Sequence, residues 1–227
     1  AQFFPFHEAR NLLVSGQGNV KGARVMDRHT GSEYDLQADL IINATGAWAG
    51  QAIGDYGKSV PVIPTPGVMV AYDQRLIDRV VNRLAPPGDG DILIPQRRMV
   101  VIGTTSYEVQ DPDYIPVLDD QVEEMYRQAV FLVPGVQKTQ MRGAYMSARP
   151  LIGSTTAGRS LSRTFKCYDH KAMDNLDGLI TITGGKATTC RAMAEKTSDL
   201  ACQKLGISAS CQTRQVPLVS YREYYRS

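Results

Sequence analysis

The feature that most constrains this chain is a β-prone run that meets two adjacent glycines and continues directly into a helical pattern. The run covers residues 179–183, the glycines are Gly184 and Gly185, and the helical pattern opens with Lys186. Glycine lets the backbone approach a ligand closely, because it has no Cβ. The first amides of a helix have no partner within the helix and carry a partial positive charge. The segment therefore predicts either a turn that binds an anion or an electron-rich ring edge, or an ordinary strand-to-helix connection.

The composition is that of a folded protein without a charge signature for nucleic acid. Hydrophobic residues make up 43% of the 227 residues, which is enough for a packed core and argues against disorder. The chain has 25 Lys and Arg against 23 Asp and Glu, so it lacks the basic excess of nucleic-acid-binding proteins. We therefore expect no nucleic-acid partner. The length suits one large domain or two small ones.

The cysteines give no indication of a metal site. Cys167, Cys190, Cys202 and Cys211 form no C-x-x-C pair, which zinc and iron–sulfur sites commonly use. The sequence also shows no signal peptide and no long apolar run. These features predict a cytoplasmic chain with reduced thiols and no bound metal.

The hydrophobic pattern predicts a mixed fold, α/β with α+β character, that contains two kinds of sheet. Residues 38–46 form an apolar run ending at glycine, which is typical of a strand buried on both faces in a parallel sheet. Prolines interrupt a second group of strand-like runs and indicate edges and irregular joins of an antiparallel sheet. That group comprises residues 60–63, 68–72, 91–95 and 99–104. Other strands are predicted at residues 11–15, 20–27, 139–152 and 165–168.

Two long helices are predicted from apolar periodicity and from residues that begin or end helices. The first covers residues 119–133 and has one apolar face, with Asp119 or Asp120 as its cap. The second runs from about residue 187 to 205, with Gly206 as its C-terminal stop. Short helices are predicted from residue 47 to 53 and from 78 to 84.

A set of short motifs in a fixed order resembles one family of flavoproteins. The motifs are residues 40–48 (LIINATGAW), 91–95 (DILIP), 102–106 (IGTTS), 148–152 (ARPLI), 162–163 (SR), 168–170 (YDH), 182–186 (ITGGK) and 193–195 (MAE). Any one motif is weak. Their order and spacing resemble the FAD-dependent glycerol-3-phosphate dehydrogenases of the D-amino-acid-oxidase-like group, and most of all the flavoprotein (A-type) subunit of the anaerobic enzymes.

One signature of that family is missing from this sequence. The family opens with a strand, a G-x-G-x-x-G loop and a helix that hold the FAD pyrophosphate. No such motif occurs here, since Gly16-Gln17-Gly18 is not followed by a third glycine at the required spacing. The resemblance therefore implies a fragment: the second part of an FAD-binding Rossmann-like domain with an antiparallel-sheet substrate (cap) domain. We expect such a fragment to bind FAD weakly or not at all, and the full-length protein to bind it.

The resemblance also implies a division of the chain into four segments. These are residues 1–58 as part of the FAD-binding domain, 59–147 as the cap domain, 148–206 as a return to the FAD and substrate interface with the C-terminal helix, and 207–227 as a linker or tail.

Two arginines match the family's substrate-binding positions. Arg149 and Arg163 correspond to arginines that contact the substrate phosphate, and the guanidinium fork suits phosphate geometry and stays charged. Judged from its own sequence context, each arginine fits a structural ion pair equally well.

Two segments match the family's cofactor-binding positions. The first set is Asn43, Ala44, Thr45 and Gly46, which end a strand of the dinucleotide fold, where ligands gather, and which the resemblance places against the FAD. The second set is Gly184, Gly185, Lys186 and Thr188, which the resemblance places at the N1/C2=O edge of the flavin ring. Amides of the helix that follows are expected to stabilise negative charge on the reduced ring. For Trp48 we expect core packing, with proximity to the flavin as the alternative.

Two residues are candidates for direct catalytic roles. His170 matches a family histidine and is either the base or a proton relay, or else a histidine hydrogen-bonded at a strand end. Lys186 is expected near the flavin or the substrate, with a surface lysine at a helix start as the alternative. Pro66 departs from the family, which has a lysine at this position.

The resemblance implies oxidation of sn-glycerol 3-phosphate to dihydroxyacetone phosphate, with hydride transfer to FAD and onward transfer of electrons to a membrane quinone. The implied partners are further dehydrogenase subunits, and the implied location is cytoplasmic, at the inner face of the cell membrane. Two alternatives stay open at this point. One is an amine or amino-acid oxidase of the same fold. Such oxidases usually need only one arginine, to bind a substrate carboxylate. The other is a non-catalytic chain that only folds or acts as a scaffold.

Overall fold

The chain folds into two compact units. The computed structural model describes residues 2–51, 56, 60–84, 90, 92–153 and 164–217. One unit, which we name the discontinuous unit, comprises Ala1–Pro61 and Arg163–Ser227. The other, the inserted unit, comprises Val62–Ser162. The functional roles of the four segments implied by the sequence stay predictions.

The first sheet of the discontinuous unit is an antiparallel meander of three strands. They are β1 (His7–Val14), β2 (Val20–Asp27) and β3 (Glu33–Gln37), in that order across the sheet. The strands predicted at residues 11–15 and 20–27 are thus present and pair as a hairpin, with β1 beginning four residues before residue 11.

The second sheet of this unit contains the parallel pair that positions the candidate site. β4 (Ile41–Asn43) pairs in parallel with β11 (Leu179–Gly184), and β10 (Phe165–Asp169) pairs with β11 in the antiparallel sense. The prediction of a strand over residues 38–46 buried on both faces is wrong. Only three residues are extended, and Ile42 is 45% exposed because the described residues leave its face of β4 uncovered.

Helix α3 (Cys190–Leu205) follows β11 after a single 3-10 turn at Ala187–Thr189. The helix ends as the sequence predicts, because Gly206 takes a left-handed conformation at φ +69° and its amide donates to the carbonyl oxygens of Cys202 and Gln203. Part of the segment after α3 contacts this helix, since the Arg191 guanidinium donates to the Thr213 hydroxyl at 3.1 Å. Residues 218–227 of the predicted tail lie outside the described residues.

An ion-pair cluster joins the last turn of α3 to the connection between β10 and β11. The Lys204 ammonium lies 2.8 Å from a carboxylate oxygen of Asp169 and 2.8 Å from one of Asp177. Lys171, in the short helix α2 (His170–Asp174), lies 2.7 Å from the other oxygen of Asp177. Hydrogen bonds from Lys171 and Lys204 hold the pKa of Asp177 well below its usual range. Burial lowers the pKa of Lys204, but its two carboxylate partners outweigh that effect and raise it.

The inserted unit is a five-stranded antiparallel sheet covered by one helix. Its strand order is β6 (Val81–Asn82), β7 (Ile92–Gln96), β8 (Met99–Gly103), β5 (Val62–Tyr72) and β9 (Met141–Ile152). Helix α1 (Asp119–Leu132) packs on β5 and β8 through Met125 and Ala129, which are fully buried. This arrangement confirms the predicted mixed fold with an antiparallel sheet.

The prolines of β5 do not separate two strands, as the sequence suggested, but lie within one strand of 11 residues. The carbonyl oxygens of Pro64 and Pro66 accept hydrogen bonds from the amides of Val109 and Tyr107. In an extended strand the N–H of a residue points to the same side as its carbonyl group. The missing proline N–H groups therefore face an irregular segment, and β5 keeps its pairing with β9.

Three local predictions about helices are wrong. Residues 78–84 contain β6 in place of a helix, because the β-branched pair at residues 80 and 81 favours an extended chain that pairs with β7. The predicted helix over residues 47–53 is a 3-10 turn at Gly46–Trp48, and residues 52 and 53 lie outside the described residues. The N-cap of α1 is Leu118, without a side-chain hydrogen bond, while Asp119 and Asp120 lie in the first turn.

Candidate functional site

Two loops meet at the carboxyl-terminal edge of the parallel pair. β4 and β11 run in the same direction with Asn43 opposite Thr181, so the segments that follow both strands leave the sheet side by side. The Thr183 hydroxyl, near the end of β11, lies 3.4 Å from the carbonyl oxygen of Gly46 in the loop after β4. In open α/β sheets this edge is the usual place for a ligand. The structure thus brings together the two predicted cofactor-binding segments.

The turn after β4 is shaped by one buried amide side chain. Asn43 is 3% exposed, and its Nδ2 donates to the carbonyl oxygen of Ala49 at 2.9 Å. Its Oδ1 accepts from the backbone amide of Thr45 at 3.3 Å and from the Thr45 hydroxyl at 2.7 Å. Gly46 follows with φ +63°. Apart from its chain neighbours, no heavy atom of the described residues lies within 4 Å of the position that a Cβ on Gly46 would take. Ala44 and Thr45 are exposed on this turn.

The turn after β11 requires both of its glycines for its own conformation. Gly184 and Gly185 have φ values of +81° and +74°, which L side chains rarely adopt. A Cβ on Gly185 would stand 2.7 Å from the Met193 sulfur and 2.9 Å from the Thr189 hydroxyl. The glycine pair is therefore explained by the turn itself, whatever ligand the turn contacts.

The start of the helix after this turn contains backbone amides that form hydrogen bonds and amides that lack an acceptor by position. The amide of Gly185 donates to the Thr164 carbonyl oxygen at 3.2 Å, and the amide of Lys186 donates to the Thr189 hydroxyl at 3.0 Å. The Thr189 hydroxyl in turn donates to the Lys186 carbonyl oxygen at 2.8 Å. By position, the amides of Ala187 and Thr188 are the first of the helical segment and lack an acceptor in a preceding turn. The side chains of Lys186 and Thr188 are exposed beside them.

His170 is fully buried, and both of its ring nitrogens are engaged. Nδ1 lies 2.5 Å from a carboxylate oxygen of Asp174, and Nε2 lies 2.8 Å from the hydroxyl of Thr181 on β11. A base that takes a proton from a substrate needs a nitrogen within hydrogen-bond reach of that substrate. This geometry favours the alternative of a histidine bonded at a strand end, where it connects α2 to β11.

Arg149 of the inserted unit is half-buried, with its guanidinium group held against backbone carbonyl oxygens. Nε donates to Thr65 at 3.1 Å, and one terminal nitrogen donates to Pro66 at 3.1 Å and to Thr105 at 2.9 Å. Three bonds from a planar group fix its position and orientation. Pro66, the departure from the family pattern, thus supplies one of the carbonyl groups that hold Arg149.

Gly67 is a position of close packing beside Arg149 that the sequence pattern does not indicate. A Cβ at this position would stand 2.1 Å from the Thr104 hydroxyl and 2.9 Å from the Arg149 guanidinium. The sequence places Gly67 between the predicted strands 60–63 and 68–72, whereas in the structure it lies inside β5, where a glycine often marks a close approach of another group.

Two further predictions concern single residues. Arg163, the second predicted substrate-binding arginine, lies outside the described residues. The prediction that Trp48 packs in the core is wrong, because its side chain is 39% exposed at the end of the turn after β4. Its proximity to a flavin stays a prediction.

The described part of the chain shows no cluster of metal-ligating side chains. Residues 2–51, 60–84, 92–153 and 164–217 contain no group of three or more His, Cys, Asp or Glu side chains arranged to hold a metal ion. None of the helices described is both long and apolar enough to cross a membrane. The four cysteines are present as free thiols, and burial raises the pKa of Cys167.

Comparison with known proteins identifies relatives over almost the whole chain. The family model for FAD-dependent oxidoreductases (DAO) matches residues 1–200. The chain is 38% identical over 231 residues to the A1 subunit of anaerobic glycerol-3-phosphate dehydrogenase from Haloferax volcanii, a match that covers 96% of this chain and 39% of that protein. It is 37% identical over 222 residues to the A-type subunit from Escherichia coli K12, covering 96% of this chain and 41% of the relative. The chain thus spans about two fifths of the length of these relatives.

Solved structures match the fold of this chain. Glycerol-3-phosphate dehydrogenase from Bacillus halodurans, complexed with FAD, matches with a TM-score of 0.74 and 24% identity, over 92% of this chain and 41% of that one. Glycine oxidase from Geobacillus kaustophilus matches with a TM-score of 0.62 and 16% identity, over 96% of this chain and 53% of that one. At these identities the likeness shows the fold alone.

Proposed function

Because the chain belongs to the family of FAD-dependent oxidoreductases, we propose that it forms part of an enzyme that oxidises sn-glycerol 3-phosphate to dihydroxyacetone phosphate. The observation that supports this proposal is the meeting of the two predicted cofactor-binding loops at the carboxyl edge of β4 and β11. The substrate is inferred from relatives named glycerol-3-phosphate dehydrogenase that are 37% and 38% identical to the chain.

The residues at this edge fit a polar, partly anionic cofactor such as FAD. The loop after β4 presents an open position beside Gly46 and the hydroxyl of Thr45, and the loop after β11 presents Lys186 and Thr188 at a helix start. Helix-start amides and an ammonium group attract negative charge. We propose that Ala44, Thr45 and Gly46, together with Gly184, Gly185, Lys186 and Thr188, hold the cofactor. Because the sequence lacks a G-x-G-x-x-G loop, we propose that residues 1–227 alone supply only part of an FAD site.

Bound FAD would supply the hydride acceptor for the alcohol carbon, and the protein residues would supply position and charge. Arg149 is proposed to bind the substrate phosphate, because its guanidinium is charged and already fixed by three carbonyl groups. Arg163 is proposed as its companion on the strength of the family match. Lys186 is the remaining catalytic candidate, since we propose that His170 holds β11 in place and does not take the substrate proton.

The partners belong to the same proposal. The relatives are named as single subunits of a dehydrogenase, which supports assembly with further subunits. Transfer of electrons to a membrane quinone, and a cytoplasmic location at the inner face of the cell membrane, are inferred from that kinship. The amine or amino-acid oxidase alternative rests on structures that show only the fold.

An anaerobic substrate titration tests the proposal. The full-length gene product is purified with its flavin, and the absorbance band of oxidised FAD is followed as glycerol 3-phosphate, glycine or sarcosine is added. We expect glycerol 3-phosphate to bleach the band and the amino acids to leave it unchanged. Bleaching by glycine or sarcosine alone would establish the oxidase alternative, and a protein that purifies without flavin and binds none would favour the non-catalytic one.

A further inference from the structure

We propose that Asn43 is a positioning residue that fixes the cofactor-facing turn after β4, so that Thr45 recognises a hydrogen-bond donor of the cofactor and not its phosphates. This inference rests on the proposed FAD site. The positioning role follows from the hydrogen bonds of the Asn43 side chain, all of which, among the described residues, go to the turn itself.

The orientation of the Asn43 amide is determined by its two neighbours. The carbonyl oxygen of Ala49 accepts only, so the atom 2.9 Å from it must be the NH₂ group. The backbone amide of Thr45 donates only, so the atom 3.3 Å from it must be the oxygen. A buried side chain that donates on one side and accepts on the other has no substitute of equal shape, because aspartate lacks the donor and leucine lacks both groups.

The bond to Asn43 determines which hydrogen bonds the Thr45 hydroxyl can still form with a ligand. Its hydroxyl has one proton, which it donates to Asn43 Oδ1 at 2.7 Å. The Thr45 oxygen is therefore left only with lone pairs toward the exposed side of the turn. Phosphate oxygens accept hydrogen bonds, so they have no favourable contact with this oxygen. The hydroxyl and N–H groups of a dinucleotide are donors, and the geometry of Thr45 suits them.

A second contact ties this turn to the loop after β11. Thr183 is 1% exposed, and its hydroxyl points to the carbonyl oxygen of Gly46 at 3.4 Å. Because Thr183 immediately precedes the Gly184–Gly185 pair, the contact links the two cofactor-facing loops directly. A change that loosens the turn after β4 is therefore expected to affect cofactor binding even where no cofactor contact is removed.

The test compares variants of the full-length flavoprotein, prepared without cofactor and titrated with FAD by fluorescence quenching. Thr45→Val removes the acceptor at an exposed position, and we expect its dissociation constant for FAD to rise about tenfold, the usual size for one hydrogen bond. Thr45→Ser keeps the hydroxyl, and its dissociation constant should stay within about twofold of the wild type. Asn43→Asp removes the donor to Ala49, and should weaken FAD binding and speed amide hydrogen exchange over residues 45–49 in the absence of FAD.

Thr197→Val is the matched control. Thr197 is buried, and its hydroxyl donates to a carbonyl oxygen within α3 at 2.8 Å. Its loss should lower the melting temperature and leave FAD affinity and exchange at residues 45–49 unchanged. Wild-type affinity in both Thr45→Val and Asn43→Asp, with normal FAD binding by the wild type, would overturn this inference alone. A wild-type protein that binds no FAD would overturn the proposed function as well.

Discussion

Asn43 and Thr181 lie opposite each other in the only parallel strand pair found among the described residues, and each holds a neighbouring segment in place. Asn43 bonds to the turn that follows its own strand, while the Thr181 hydroxyl contacts the buried ring of His170. Asn43 thus fixes the turn after β4, and Thr181 ties β11, whose end leads into the second turn, to α2.

Lys204→Met should destabilise the protein more than Lys171→Met. The Lys204 side chain is 12% exposed and contacts two carboxylates, whereas that of Lys171 is 64% exposed and contacts one. For Lys204→Met we expect a loss of about 1–2 kcal/mol in the free energy of unfolding, measured with urea, and for Lys171→Met a loss of less than about 0.5 kcal/mol. Equal effects of the two substitutions would show that burial of Lys204 does not matter.

The contribution of this cluster should depend on pH in a defined direction. The pKa of Asp177 is lowered in the folded state, so its stabilising effect is present above its unfolded value of about 3.9 and is lost as the pH falls below that value. The difference in stability between wild type and Lys204→Met should therefore stay constant above about pH 4 and shrink as the pH falls below that value. A difference that stays constant below about pH 4 would contradict the assignment.

Gly185→Ala should destabilise the turn after β11 even in protein without cofactor. The new Cβ would collide with Met193 and Thr189, and the positive φ adds strain, so we expect a loss of about 2–3 kcal/mol. Gly46→Ala is the matched control, because Gly46 also has a positive φ but open space around it. For this variant we expect a loss of stability of about 1 kcal/mol. Urea unfolding of both variants without FAD measures the difference, and a larger effect at Gly46 would be inconsistent with this explanation.

Arg149→Ala should weaken substrate and product binding by about 1.5–3 kcal/mol, the size of a charge-assisted hydrogen bond. Inhibition by dihydroxyacetone phosphate measures this change, and FAD content should stay near that of the wild type. Arg142→Ala on the same strand is the control, because Arg142 is exposed. If Arg149→Ala binds the phosphate as well as Arg142→Ala does, Arg149 is a structural residue.

Lys186→Met should make the flavin harder to reduce. A positive charge beside the ring stabilises the reduced, more negative form, and its loss should lower the midpoint potential by on the order of 20 mV, or about 1 kcal/mol for two electrons. Lys186→Arg keeps the charge and should leave the potential close to that of the wild type. An unchanged potential in Lys186→Met would remove Lys186 from the vicinity of the cofactor.

Periodic segments could be predicted from the sequence because their physical cause is local. The face of α1 that buries Met125 and Ala129 and the stop of α3 at Gly206 both follow from residue spacing within one helix. The meeting of the loops after β4 and β11 could also be predicted once the two strands are taken as parallel, since the carboxyl ends of parallel strands share one edge.

Features that depend on distant partners could not be predicted. The strand through Pro64 and Pro66 exists because an irregular segment some 40 residues later in the chain, at Tyr107 and Val109, supplies amides to the proline carbonyl groups. The exposure of Ile42 and Trp48 depends on what covers β4 and its turn, which no local pattern records. For His170 the sequence left base and structural roles open, and only its contacts within α2 and with β11 favour the structural one.

A crystal structure of the full-length protein with bound FAD shows directly whether the two loops hold the cofactor. We expect the cofactor to contact both loops, with Thr45 or Gly46 on one side and Lys186 or Thr188 on the other, and a hydroxyl or N–H group of the cofactor to donate to the Thr45 oxygen. A cofactor bound away from the carboxyl edge of β4 and β11 would show that these loops do not form its site.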